Sequence, residues 1–196
     1  IQAGVNIINI CEEDGISRMS SKLEIKDKLS VLLPLINSLK NSYPNLILAV
    51  DTSKHIVAKE ALDNAADMLI ESVPLKSNQQ MLNLIVQRKC PVVLMHKYFY
   101  YNQPFKQINT LSDVVRDIQS NISFAIGQGI ERDKLIIEPG LSFTKHSKDN
   151  FLILKQLSSL KYLNVPILFE LHKNTFLSST ITGRIPKNEI SAIAAN

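Results

Sequence analysis

The sequence predicts an α/β protein of the (β/α)8 TIM-type barrel class, of which about six βα units are visible. Three observations lead there. Short apolar runs rich in β-branched residues alternate with longer amphipathic segments along the whole chain. Those runs are apolar almost without interruption, as strands buried on both faces are. Each run then ends in polar residues. A barrel brings all the strand carboxyl ends around one mouth, whereas an open doubly wound sheet gathers its polar ends at one switch point. Polar ends distributed over all the runs therefore favour the barrel.

The strands are expected at 5–10 (VNIINI), 46–50 (LILAV), 67–70 (DMLI), 91–95 (PVVLM), 134–138 (KLIIE) and 166–171 (PILFEL). Their polar ends are, in turn, Cys11 with Glu12, Glu13 and Asp14; Asp51 with Thr52 and Ser53; Glu71 with Ser72; His96 with Lys97; Glu138; and His172 with Lys173 and Asn174. Between the first two strands, Leu29, Leu32, Leu33, Ile36 and Leu39 form one helical stripe, which Asn41 and Pro44 end. Further helices are expected at 56–65, 78–88, 111–127, 151–162 and 187–195.

The chain has 196 residues and a mass of 22.0 kDa, below the roughly 250 residues typical of such a barrel. A six-unit barrel would leave apolar strand edges unpaired, so residues 1–196 are expected to be a single barrel domain lacking its first and last strands. With 45% hydrophobic and 20% charged residues, the composition excludes a disordered chain. The net charge of +4 comes from scattered lysines without a basic block. Nucleic-acid and membrane-surface partners are therefore not expected, while an anionic small molecule is compatible.

Two cysteines, Cys11 and Cys90, form no disulfide framework, which fits a reduced, cytoplasmic setting. No apolar stretch approaches the roughly 18 residues of a membrane span, and IQAGVNIINI lacks the basic start of a signal peptide. The four histidines, His55, His96, His146 and His172, show no HExxH spacing and the cysteines no CxxC pair, so no protein-built metal site is visible. Six glycines leave no glycine-rich phosphate cradle.

Asp51 directly follows an apolar strand. A carboxylate there either accepts hydrogen bonds from a planar ligand edge or caps the following helix, and position alone leaves both open. His96 is likewise open between a hydrogen-bonded structural residue and a ligand contact. The aromatic run within 98–105 (YFYYNQPF) either stacks on a planar ligand or packs against neighbouring helices or a subunit.

Several segments carry a resemblance. QAGVNIINI is similar to an AGADIID strand, AVDTSK (49–54) to an SVDT strand end, VVLMH (92–96) to VLMH, EPGLSFTK (138–145) to DPGIGFGK, and PILFELHKNTF (166–176) to PLLVGxSRKSF. In their order and spacing these resemble dihydropteroate synthase, the pterin-binding barrel of folate biosynthesis. The resemblance covers essentially the whole chain. It implies an eight-unit barrel with one strand before Ile1, carrying a magnesium-binding asparagine loop, and one after Asn196, carrying the Arg/His end of a diphosphate site. The implied reaction joins p-aminobenzoate to dihydropterin-CH2-diphosphate and releases diphosphate, with magnesium as cofactor.

Carried over residue by residue, the resemblance makes Asp51 a pterin-facing acid and puts Glu138, one methylene longer, in the place of the second, the aspartate of DPG. Ile70 falls where an asparagine ends the third strand, and Glu71 or Ser72 compensates only if that strand end shifts. His96 ends its strand as in the family, Lys145 and Asn150 keep their places after the EPG turn, and His96 and Lys145 are carried over as substrate contacts. His172, Lys173 and Asn174 replace SRK, so Asn174 stands for the lysine that contacts pterin and p-aminobenzoate, and Lys173 takes over its charge only through an altered turn. CEEDGISRM replaces GGESTRPG, keeping Glu13 and leaving Arg18 as the nearest arginine.

Three functions stay open on these residues. The first is an active synthase with a diverged pocket. The second is a catalytically impaired homologue with a structural or assembly role. The third is another pterin-binding barrel, such as a methyltetrahydrofolate methyltransferase. By analogy the resemblance also implies a homodimer and a fused or partner pterin pyrophosphokinase.

Overall fold

A computed structural model describes residues 4–11, 24–71, 73–96, 111–140, 155 and 157–169. The chain divides into two compact units, residues 1–94 with 124–135 and residues 95–123 with 136–196.

In the first unit, strands β1 (Ile7–Cys11), β2 (Ile47–Asp51), β3 (Met68–Glu71) and β4 (Val92–Met95) follow one another in sequence order, each pair parallel. The last residue of β4 belongs to the second unit. The register places Cys11 beside Asp51, Asp51 beside Ile70, and Ile70 beside Val93. Each of the first three strands begins one or two residues later than its apolar run and takes in the polar residue that follows it. The ladder is a backbone structure and does not stop where the side chains turn polar. Strands β2 and β3 are buried on both faces apart from Ile47, as their unbroken apolar runs predict, while β1 is half exposed.

Helix α1 (Ile25–Ser42) buries Leu32 and Ile36 from the predicted stripe and carries Pro34 on its exposed side. There the missing amide costs one helical hydrogen bond and the ring meets solvent. Helix α2 (His55–Asp63) buries Val57, Ala58 and Ala61, and α3 (Gln79–Arg88) buries Met81, Leu82, Leu84 and Ile85. Asn78 caps α3, its Oδ1 accepting the Met81 N–H at 3.3 Å. Helix α4 (Leu111–Gly127) sets Val114, Ile118 and Ile122 on one buried stripe at four-residue spacing.

Two helices end in the same motif. After α2, the Ala65 N–H donates to Leu62 O at 3.3 Å and the Ala66 N–H to Ala61 O at 3.0 Å. After α4, the Gly129 N–H donates to Ile126 O at 2.9 Å and the Ile130 N–H to Ala125 O at 3.1 Å. Both are Schellman endings, which put the residue after the cap into left-handed backbone: Gly129 at φ 100°, and Ala65 at φ 71° despite its Cβ.

The amino ends of the strands are pinned separately. Asp67 Oδ2 accepts the Leu48 N–H at 2.7 Å and Lys40 Nζ at 2.6 Å, and Lys40 also donates to Leu46 O at 2.8 Å. One carboxylate thus ties the last turn of α1 to the starts of β2 and β3. In barrels this end of the strands serves stability, leaving the carboxyl ends for chemistry.

In the second unit the His96 N–H donates to Glu138 O at 2.8 Å, at the end of β5 (Leu135–Glu138), most of which lies in this unit. Ile137 forms a parallel bridge with Ile167, closed by Ile137 N–H to Pro166 O at 3.0 Å and Leu168 N–H to Ile137 O at 2.8 Å. The expected strand at 166–171 is present to that extent. Part of the expected helix at 151–162 is a short 3-10 segment, Leu157–Leu163, which buries Leu160 and Leu163. The helix expected at 187–195 lies outside the described residues. Among the described residues no helix is long and apolar enough to cross a membrane.

Candidate active site

The chemistry-bearing side chains of the first unit stand at the carboxyl ends of β1, β2 and β3. Asp51 closes β2 and is 4% exposed. Side chains in register on parallel strands share a face, so Asp51 stands between Cys11 and Ile70. The Cys11 thiol donates to Asp51 Oδ2 at 3.5 Å. On the other flank Ile70 is buried and offers only hydrocarbon.

The turn that follows is organised by Thr52. Its N–H donates to Ile70 O at 3.3 Å, and its Oγ1 accepts the Lys54 N–H at 3.1 Å just ahead of α2. A hydroxyl two residues back thereby sets the entry to the helix. Asp51 itself belongs to the strand.

Glu71 has a different orientation. It follows Ile70, so the pleat turns its side chain to the face opposite Asp51. Its Oε1 accepts the Val73 N–H at 2.7 Å and its Oε2 accepts Asn78 Nδ2 at 3.3 Å. Asn78 Nδ2 also reaches Ser53 O at 3.0 Å. Glu71, Asn78 and Ser53 therefore bind the loop after β2, the loop after β3 and the cap of α3 into one network. The end of β3 is not shifted: Ile70 keeps its place beside Asp51.

In the second unit His96 and Glu138 are each 2% exposed and joined through the backbone. His96 Nε2 lies 4.0 Å from Asp117 Oδ2 on α4, a pair that attracts only while the imidazole is protonated. Gly140 explains the tight turn after Glu138. Its φ is 73°, and a Cβ there would overlap the His96 carbonyl oxygen. Only glycine allows the EPG turn to approach the end of β4 so closely.

Lys145, His172, Lys173 and Asn174 lie outside the described residues, as do Glu13, Arg18, Asn150 and the aromatic run at 98–105. Three residues now belong to the picture to which sequence reasoning gave no site role: Cys11 and Thr52, read only as polar strand ends, and Asn78. Cys11 carried a usable signal, because it ends its apolar run just as Asp51 ends the next. Among the described residues no three His, Cys, Asp or Glu side chains come together as a metal cradle.

A sequence profile for pterin-binding enzymes matches residues 1–195. The chain belongs to the pterin-binding enzyme family. Dihydropteroate synthase of Synechocystis sp. is 25% identical over 195 residues, covering 97% of this chain and 66% of that enzyme. A probable bifunctional folylpolyglutamate synthase/dihydropteroate synthase of Haloferax volcanii is 28% identical over 199 residues, all of this chain and 23% of that protein. Dihydropteroate synthase of Xanthomonas albilineans, solved with 4-aminobenzoic acid, superposes with a TM-score of 0.84 at 27% identity, covering 99% of this chain and 69% of that one. This pterin-binding family member thus spans about two thirds or less of the length of those curated relatives. Its fold class is the (β/α)8 barrel expected from the sequence.

Proposed function

We propose that the protein is a dihydropteroate synthase-like transferase, joining p-aminobenzoate to dihydropterin-CH2-diphosphate in folate biosynthesis. The observation that carries the reading is the burial of Asp51, 4% exposed at the carboxyl end of a parallel strand, in a chain of the pterin-binding family. Barrels place their chemistry at this end of the strands, and a carboxylate there is a fitting acceptor for a planar ligand edge of N–H donors.

In this reading Asp51 accepts hydrogen bonds from the pterin, and Glu138 is the second acid. Lys173 assists the diphosphate or p-aminobenzoate, with the Asn174 amide where relatives carry a lysine. The resemblance assigns His96, Lys145 and His172 to contacts with substrate. Cations favour the departing diphosphate and exclusion of water protects the pterin cation. Magnesium is assigned by resemblance to a loop preceding Ile1. Among the described residues none form a cradle for it.

The proposed setting is cytoplasmic, as a homodimer, with a fused or partner pterin pyrophosphokinase. The Haloferax relative, whose name joins dihydropteroate synthase to folylpolyglutamate synthase, supports fusion to another enzyme in general and not to a pyrophosphokinase in particular. A second reading, a catalytically impaired homologue, is favoured by one observation: the buried Ile70 beside Asp51 supplies no amide.

Asp51→Asn tests the proposal. It should weaken pterin binding by about 1 to 3 kcal/mol in calorimetry while leaving the thermal transition nearly unmoved. A large loss of stability with unchanged residual affinity would make Asp51 a structural residue instead.

A further inference from the structure

We propose that Cys11 is a positioning residue for Asp51: its thiol holds the carboxylate in the plane in which it meets a pterin. The inference rests on the pterin reading above. Of the two side chains in register with Asp51, Ile70 has no polar hydrogen and Cys11 has one. The Cys11 Sγ lies 3.5 Å from Asp51 Oδ2, within reach for a sulfur donor.

The contact is built on rigid parts. Both residues are paired in the ladder, so their backbones are held at the strand spacing, and one χ1 rotamer alone places the sulfur. A ligand-binding carboxylate held by a donor on the scaffold keeps the tight geometry that such sites need. The resemblance puts glycine at this position, so the contact belongs to this chain's own residues.

A chemical consequence makes the contact measurable apart from any ligand. A neighbouring carboxylate disfavours the thiolate, which is the form that alkylating reagents attack. The contact with Asp51 Oδ2 should therefore slow alkylation of the Cys11 sulfur. The second cysteine gives a quiet background, because Cys90 is buried and that burial pushes its thiol up.

Two measurements on the full-length protein test the proposal. In the first, alkylation of Cys11 by iodoacetamide is followed by peptide mass spectrometry at one mildly alkaline pH. Asp51→Asn should speed it by about threefold or more. An unchanged rate would overturn the contact. In the second, 6-hydroxymethylpterin is titrated into wild type, Cys11→Ala and Cys11→Ser. Alanine should lose affinity by about three- to tenfold, and serine, which restores a donor, should return to within about twofold of wild type. A purely structural role would lower thermal stability without this rescue of affinity by serine.

Wild-type affinity in Cys11→Ala would overturn the inference and leave the pterin reading standing. Failure of the wild-type protein to bind the pterin would overturn the pterin reading and this inference with it, even if the alkylation result held.

Discussion

Ile70 stands in register with Asp51 on the neighbouring strand, so a buried aliphatic side chain flanks the carboxylate where the resemblance calls for an amide. Ile70→Asn would return that amide. It exchanges a packed side chain for a polar one at a 2% exposed position and should cost about 2 to 4 kcal/mol in urea denaturation. The same variant should bind 6-hydroxymethylpterin about three- to tenfold more tightly, since the added donor and acceptor face the side on which Asp51 lies. Weaker binding would mean that the pocket has been reshaped around Ile70.

Glu71 is as buried as Asp51 but committed to Val73 and Asn78. Glu71→Ala leaves the Val73 N–H and the Asn78 amide short of an acceptor and should destabilise the protein by about 2 to 3 kcal/mol. The affinity of the folded fraction for pterin should stay within about twofold of wild type. Calorimetry at low temperature, where the variant is folded, separates the two effects.

The two Schellman endings differ by one Cβ. Gly129 takes the left-handed position after α4 without strain, while Ala65 takes it after α2 at φ 71°. Ala65→Gly should therefore stabilise the protein by about 0.5 to 1 kcal/mol in thermal unfolding, after the entropic cost of glycine in the unfolded chain.

Gly140→Ala is the opposite case. The added Cβ meets both a left-handed backbone and the His96 carbonyl oxygen, which is main chain and cannot swing aside. A loss of about 3 kcal/mol or more is expected from thermal unfolding.

Asp63 carries a pH-dependent contribution. Hydrogen bonds from Lys59 and Arg88 hold its carboxyl below the ordinary value of 3.8. The folded state therefore binds its proton less readily than the unfolded state. Its stabilisation is present above the unfolded pKa and is lost as the pH falls through the lower folded value. Asp63→Asn should flatten that part of the acid-stability profile, and it should leave stability near neutral pH only slightly changed, because the side chains are exposed.

Much of the fold was legible because parallel strands buried on both faces leave continuous apolar runs. All six runs appear in pairing: five as strands and the sixth as the Ile137–Ile167 bridge. Helix α4 matches its predicted span, since its apolar stripe is regular from end to end. The end of α2 was less legible. The periodicity continues to Ala65, but a Schellman turn closes the helix at Asp63, and an alanine gives no warning of left-handed backbone.

At the candidate site, Asp51 was legible as the first polar residue after a strand. Its alternative role at the helix entry is one the sequence could not weigh, because Thr52, one residue on, supplies the acceptor for the Lys54 N–H. Glu71 illustrates the limit of reading position without pleat. It is adjacent to Ile70 in sequence and turned to the other face in space. Cys11 was legible only as a polar strand end, because its partner is 40 residues away and only the register of β1 on β2 joins them.

The most direct test of the central claim is calorimetric titration of the full-length protein, with magnesium, using a dihydropterin diphosphate analogue and then p-aminobenzoate. The account predicts tight binding of the pterin followed by p-aminobenzoate binding that requires the pterin site to be filled. Binding of neither ligand would contradict it and leave a barrel of this family kept for something other than folate chemistry.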